Sequence, residues 1–396
     1  MKDGAVRGLV FVPYPYTGNG SSYTPIAIAR QFPGAGHEVT SYIPSLRARP
    51  PGDLDYRSWL PAWLPRPLRG GRFHRFAYPA MVARLLLQVR RFGPGCPVWL
   101  WLNADLETVR ALKDAGAFIM REMINTHQVT VRTILENEAR LSGLRGPMPV
   151  TEASILAEDT ELALVDRVVS PSDGVDRSLI EQGVPEAKIY RSHFGWDPAR
   201  FSGYTSSASP NARFTALFVG DITMRKGVHL ALEAWRAAQI EGEFHLVGRI
   251  SPEMQTPLAE AIASGGVCHI PFTSDLSQHY RESDVFLFPT LEEGAPLVCY
   301  EAAGFGLPII TGPMGTSRFV EDGVNGVVVD PHNIDALSAA LRLLAHDRER
   351  LASLSTAICT AAQSHRWEDA ARSRVALLRH DIGLPAIVPP KATRSR

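Results

Sequence analysis

Two successive series of short apolar runs alternate with helix-length segments, parted by a Ser-, Gly- and Pro-rich stretch from Phe201 to Asn211, and this leaves the chain few folds to choose from. The first series opens with a strand-like run Gly8–Val12, a turn-rich loop Thr17–Ser22, a helical stretch and a second strand over Gly36–Ile43, a βαβ beginning. Strands at Val98–Leu102, Ala117–Met120 and Arg167–Val169 follow, interleaved with helices such as Asp105–Asp114 and Ser172–Gln182. The second series places strands at Phe214–Val219, Glu243–Val247, Val267–Ile270, Val285–Phe288, Pro308–Thr311 and Val327–Val329. Such alternation builds parallel sheets, so an α/β protein of two domains is expected, 1–192 and 193–380, with a frayed tail over 381–396. A length of 396 residues also exceeds what one core usually serves. Open parallel sheets hold ligands beyond the carboxyl ends of their strands, which predicts a cleft between the two.

Charge excludes some partners. Lys plus Arg equals Asp plus Glu at 41 each, so no global field draws nucleic acid. The cysteines Cys96, Cys268, Cys299 and Cys359 are scattered, without zinc-site pairs or a disulfide framework, which fits a reducing, cytoplasmic setting. No apolar run reaches membrane-spanning length. One local asymmetry stands out. Between Asp55 and Asp105 there is no acidic residue, while Arg57, Arg66, Arg69, Arg72, Arg75, Arg84, Arg90 and Arg91 lie among Trp59, Trp63, Phe73, Phe76 and Trp99. Two readings stand side by side: a basic amphipathic helix over Met81–Arg91 resting on an anionic membrane, or a proline-rich surface loop whose arginines pair with distant carboxylates.

The richest segment runs from Ser283 to Ile310 as strand, loop, helix, tight turn and strand. Glu293 falls where the helix begins, beside free backbone N–H groups that favour phosphate, and Glu301 lies about two turns further along the same face. Gly294, Ala295 and Leu297 frame that helix start. Arg225-Lys226-Gly227, just before another helix, offers two cations and a glycine turn for close approach to a diphosphate.

Glu293 and Glu301, with seven residues between them, resemble the paired glutamates of the retaining GT-B-fold glycosyltransferases of family 4, the glycogen-synthase-like and mannosyltransferase-like glycosyl transferases group 1. The resemblance extends over Phe218–Trp235, Gly304–Gly312 and Glu321–Gly326. It implies two facing Rossmann-like domains, acceptor side first and donor-nucleotide side second, the second including the C-terminal helices. It implies transfer of a hexose-type sugar, with retention, from a UDP- or GDP-linked donor to a sugar, lipid-linked or small-molecule acceptor, without metal or cofactor, in glycan, glycolipid or natural-product synthesis. By the same resemblance Glu293 binds the hexose near its reacting centre, Glu301 accepts from the ribose hydroxyls, Lys226 and Arg225 neutralise the leaving diphosphate, Asn19-Gly20 stands for the glycine pair facing the donor phosphates, and His127 is directed at the donor sugar. Two positions depart from the family: Asp221 stands where many members carry Arg, and Asn19 where they carry Gly. A non-catalytic sugar-nucleotide-binding relative and a sugar-nucleotide epimerase of the same fold stay open as alternatives. A dehydrogenase does not fit, because no strand is followed by Gly-x-Gly-x-x-Gly.

Overall fold

A computed structural model describes residues 6–18, 20–60, 65, 74–102, 104–201, 213–273 and 275–384. Seven strands, β1 (Val6–Phe11), β2 (His37–Ser45), β3 (Tyr56–Leu60), β4 (Cys96–Leu100), β5 (Ala117–Glu122), β6 (Arg167–Ser170) and β7 (Ile189–Arg191), form one sheet in the order β3-β2-β1-β4-β5-β6-β7. Six more, β8 (Phe214–Val219), β9 (Gly242–Val247), β10 (Val267–Ile270), β11 (Val285–Phe288), β12 (Ile309–Thr311) and β13 (Gly326–Val328), form a second in the order β10-β9-β8-β11-β12-β13. Every ladder is parallel. Both sheets are doubly wound, and each reverses direction beside its first strand.

Helices cover both faces of each sheet, so central strands carry unbroken apolar runs: every residue of β8 and of β11 is buried. At the edge this relaxes. β3 alternates exposure and leaves Trp59 half exposed, so part of the Arg- and Trp-rich segment is an edge strand, where a surface loop was one reading. Arg57 pairs there with Asp55 at 2.6 Å.

The Met81–Arg91 segment belongs to a longer helix, His74–Phe92. Ala77, Met81, Leu85 and Val89 recur every four residues and are fully buried, the last three in the core that holds Leu9, Val98 and Leu100. Its apolar stripe is therefore turned onto the sheet, with Arg84, Arg90 and Arg91 outward. Arg66, Arg69, Arg72, Trp63 and Phe73 lie outside the described residues. Among those described, no helix is long and apolar enough to cross a membrane.

Chain order and packing part company at the end. The helix Trp367–Asp381 follows the second sheet in sequence but packs on the first, against the helix Tyr23–Ala29. Its Arg374 is fully buried, donating to both oxygens of Glu122 at 2.7 and 3.0 Å and to Ser192 Oγ at 2.8 Å. Tyr190 Oη adds a hydrogen bond to Asp381 at 2.6 Å. The chain crosses between the sheets twice at one place, where Trp196 bridges to Arg366 and Gly195 lies so close that a Cβ would fall 2.5 Å from the Arg366 carbonyl carbon.

Across the opposite side of the molecule, Glu138 from the first half accepts from His229 Nε2 and His332 Nε2 of the second, each at 2.6 Å. Burial would push the Glu138 carboxyl up, but the two imidazoles hold it below its usual range. His332 is raised, Glu138 and Asp330 outweighing the opposite pull of burial.

Removing one partner of a buried ion pair strands the other charge. Arg374→Ala is expected to cost about 3–5 kcal/mol in denaturant unfolding. The imidazole clasp should act in a pH window. His332 gains affinity for its proton on folding, so its contribution is whole below the ordinary imidazole value and fades as pH rises through the raised one; the depressed Glu138 carboxyl loses its share as pH falls. Melting midpoints between about pH 5 and 8 should decline on the alkaline side in the wild type, and less steeply in His332→Ala.

Candidate functional site

The carboxyl ends of the two sheets face each other across a cavity of about 910 Å³. The first half contributes Tyr14, Gly20, Tyr23, Asn125 and Arg200, and the second Asp221, Arg225, Lys226, Arg249, Phe272 and Glu301, together with the Glu293–Val298 region. These are loops after strands, as two open sheets require.

Glu293 leaves the end of β11 and is buried. Lys226 Nζ donates to its Oε1 at 2.5 Å, and Arg225 Nη1 lies 3.7 Å away. Burial opposes ionisation, but Lys226 and then Arg225 outweigh it, so the carboxyl is held below its ordinary range and stays anionic. Gly227 makes this reach possible: at φ 65° it starts the helix Val228–Ala238, and a Cβ there would fall 2.0 Å from the Pro289 carbonyl oxygen.

Glu301 sits one helix away, in Leu297–Gly304, its oxygens taken by Tyr280 Oη at 3.0 Å and Arg200 Nη1 at 3.4 Å. Burial pushes this carboxyl up, against the pull of Arg200 and Tyr280. The same helix has Pro296 at its N-cap with no capping side chain, and Ala295, Leu297 and Val298 border the cavity. The uncapped start of this helix therefore borders the ligand space, and a helix start suits an anion.

Arg225, Lys226, Glu293, Ala295, Leu297, Glu301 and Gly20 all border the one cavity, and Gly20 takes φ 57°. Asn19 lies outside the described residues. Gly294 does not border the cavity; a Cβ there would meet the Ile124 carbonyl oxygen at 2.2 Å, so the glycine is required by backbone contact between the halves.

His127, expected at the donor sugar, does not border the cavity: it is fully buried, its Nδ1 accepts from Val129 N at 3.3 Å as the cap of the helix Gln128–Ser142, and its Nε2 lies 2.9 Å from Asp159 Oδ1. The loop after β5 reaches the cavity through Ile124 and Asn125 instead.

Sequence reasoning passed over Glu292. It is fully buried and accepts from Asn125 Nδ2 at 3.1 Å, Thr126 N at 3.0 Å, Thr126 Oγ1 at 2.9 Å and Arg225 Nη1 at 2.9 Å. Two adjacent acids after a strand were its sequence signal. Arg200 and Arg249 were also missed, since each comes from a loop remote in sequence from the glutamate pair.

Away from the cavity, Glu243, His245 and Cys268 gather on neighbouring strands at the sheet edge, their donor atoms within 4.8 Å. Glu243 there is engaged by Arg213 at 3.0 Å and His245 at 2.9 Å.

The fold these sheets and this cleft define is GT-B, and solved structures agree. Sucrose-phosphate synthase from Thermosynechococcus elongatus superposes with a TM-score of 0.70 at 17% identity, over 96% of this chain and 99% of that one. Anabaena HepE, in a complex with UDP and glucose, superposes with a TM-score of 0.65 at 15% identity, over 95% of this chain and all of that one (100%). Residues 213–347 match the family described as Glycosyl transferases group 1, and the chain thus resembles the GT-B glycosyltransferases in sequence as well as in fold. A D-inositol 3-phosphate glycosyltransferase of Kineococcus radiotolerans is 25% identical over 270 residues, 60% of this chain and 62% of its own length. The match thus spans less than two thirds of that relative.

Because His127 caps a helix, His127→Ala should lower unfolding free energy by about 0.5–2 kcal/mol while leaving nucleotide affinity unchanged. Calorimetric titration beside a melting curve checks both.

Proposed function

We propose that this chain is a glycosyltransferase that moves a hexose-type sugar, with retention, from a UDP- or GDP-linked donor to a sugar, lipid-linked or small-molecule acceptor, without a metal. The observation that carries the reading is the Lys226–Glu293 pair set beside the uncapped start of Leu297–Gly304, with Glu301 further along that helix, in one cavity between two sheets.

The chemistry follows from charge. As the sugar–oxygen bond lengthens, negative charge builds on the departing diphosphate. Helix N–H groups and Lys226 face that charge from fixed positions, and fixed dipoles stabilise it without reorganising. Glu293, kept anionic by Lys226, accepts from sugar hydroxyls and sits where positive charge grows on the sugar ring. Glu301, with Tyr280 and Arg200 already on its oxygens, offers acceptor capacity for ribose hydroxyls at the far end of the helix. The acceptor hydroxyl attacks from the face the diphosphate leaves and passes its proton to the departing phosphate oxygen, so configuration is kept and no covalent enzyme intermediate is formed. The match to Glycosyl transferases group 1 and the UDP and glucose bound by HepE support a nucleotide-sugar donor.

The acceptor side belongs to the first half. Arg57, Arg84, Arg90 and Arg91 are exposed on it, which supports an anionic or lipid-linked acceptor and a cytoplasmic enzyme peripheral to the inner face of a membrane. Flotation with anionic liposomes should retain the protein; protein left at the bottom of the gradient removes that part.

The test of the donor is a thermal-shift panel of UDP, GDP and their hexose conjugates. A ligand at a hundred times its Kd stabilises by about 2.7 kcal/mol, so one base should raise the midpoint clearly. Lys226→Ala and Glu301→Gln should each weaken donor binding by roughly 10–100-fold with unchanged circular dichroism. A midpoint unmoved across the whole panel would sink the reading; a shift without transfer or donor hydrolysis would leave a binding protein.

A further inference from the structure

The four cations around the cavity are not equivalent. Arg200 Nη1 lies on Glu301 at 3.4 Å with its guanidinium 3.9 Å over Tyr23, Lys226 Nζ lies on Glu293 at 2.5 Å, and Arg225 Nη1 lies on the Glu292 carboxylate at 2.9 Å and on its carbonyl at 3.1 Å. Arg249 is different. It is exposed, it borders the cavity, and its guanidinium lies 4.9 Å from the centre of the Phe272 ring, with no carboxylate at ion-pairing distance among the described residues.

Its position follows from the strands. β8 and β9 run in register to Val219 and Val247, and beyond them the backbones press together so closely that a Cβ on Gly248 would fall 1.8 Å from the Gly220 carbonyl oxygen. Ile222 N then donates to Arg249 O at 2.7 Å. Asp221 and Arg249 thus follow adjacent strand ends and both border the cavity, one acidic and one basic.

We infer that Arg249, held over Phe272, is the arginine that engages the ligand's diphosphate, and that Arg225 is a positioning residue that joins the halves through Glu292; this rests on the nucleotide-sugar reading above. An entering diphosphate must share three of the cations with carboxylates that already hold them. Arg249 is in no ion pair among the described residues, and the ring contact orders its guanidinium without neutralising it. Its planar fork matches two phosphate oxygens at once, which a lysine ammonium does not. Arg225, by contrast, cannot turn to a ligand without leaving the buried Glu292 carboxylate short of a partner.

The experiment is calorimetric titration of UDP, GDP, UMP and GMP into the wild type and into Arg249→Ala, Arg249→Lys and Arg225→Ala of the full chain, with melting curves alongside. For the diphosphate that the wild type binds, Arg249→Ala should lose roughly 10–100-fold in affinity, the matching monophosphate should lose markedly less, and Arg249→Lys should recover part. The melting midpoint of Arg249→Ala should equal the wild type's, and that of Arg225→Ala should fall. Undiminished diphosphate affinity in Arg249→Ala, or equal losses for diphosphate and monophosphate, overturns the assignment. A wild type that binds neither diphosphate overturns the nucleotide-sugar reading itself, and this inference with it, without reference to any variant.

Discussion

A carboxylate sealed from water is tolerated when its oxygens are filled, and Glu292 fills them from both halves of the molecule at once. Asn125 and Thr126 donate from the loop after β5, and Arg225 donates from the loop after β8. The charge is satisfied by the assembled cleft and by neither half alone, so this contact ties the spacing of the two sheets to the position of one loop. The next residue in that loop is Glu293, which meets Lys226, and the next is Gly294, whose missing side chain lets the Ile124 carbonyl approach. Three consecutive positions therefore set the halves, place a charged group and clear the room for both.

Around that point the cavity is built from matched charges. Buried carboxylates and surrounding cations hold one another in defined ionisation states: Glu293 is drawn down by Lys226 and Arg225, while Glu301, with a weaker cation contact, is pushed up by burial. Two glutamates a helix apart thus face the same cavity with different electrostatics. Burial raises both, but Glu293 meets two cations, with Lys226 at 2.5 Å, whereas Glu301 meets Arg200 alone at 3.4 Å.

Much of the architecture could be read from the amino acids, because buried parallel strands write themselves as unbroken apolar runs. β8, β10 and β11 fall at the expected residues, β9 and β12 differ by one residue at one end, and β13 is shifted by one residue. β3 and β7 escaped: the first is interrupted by Arg and Ser on an exposed edge, and the second is three residues long. Glu293 and Glu301 were legible through their seven-residue separation and the resemblance it carries, although the helix starts only at Leu297, so Glu293 lies in the loop before it and not on the helix face. Arg200, Arg249 and Glu292 were not, because their roles arise from chain segments far apart in sequence. His127 was expected at the cavity and does not border it. A histidine after a strand looks alike whether its ring faces a cleft or folds back to cap the next helix, and the neighbouring Glu158 and Asp159 that draw it inward come from another helix.

The return of Trp367–Asp381 to the first sheet bears on how the protein is made. Ring contact between Tyr23 and Trp367, and the burial of Arg374 on Glu122, join residues near the start of the chain to residues near its end. As the polypeptide emerges from the ribosome, the first sheet appears early but lacks this covering helix until the whole second half has been synthesised. Its apolar face and the Glu122 carboxylate stay without this helix through that interval, so the first half completes its packing only after the second has been made.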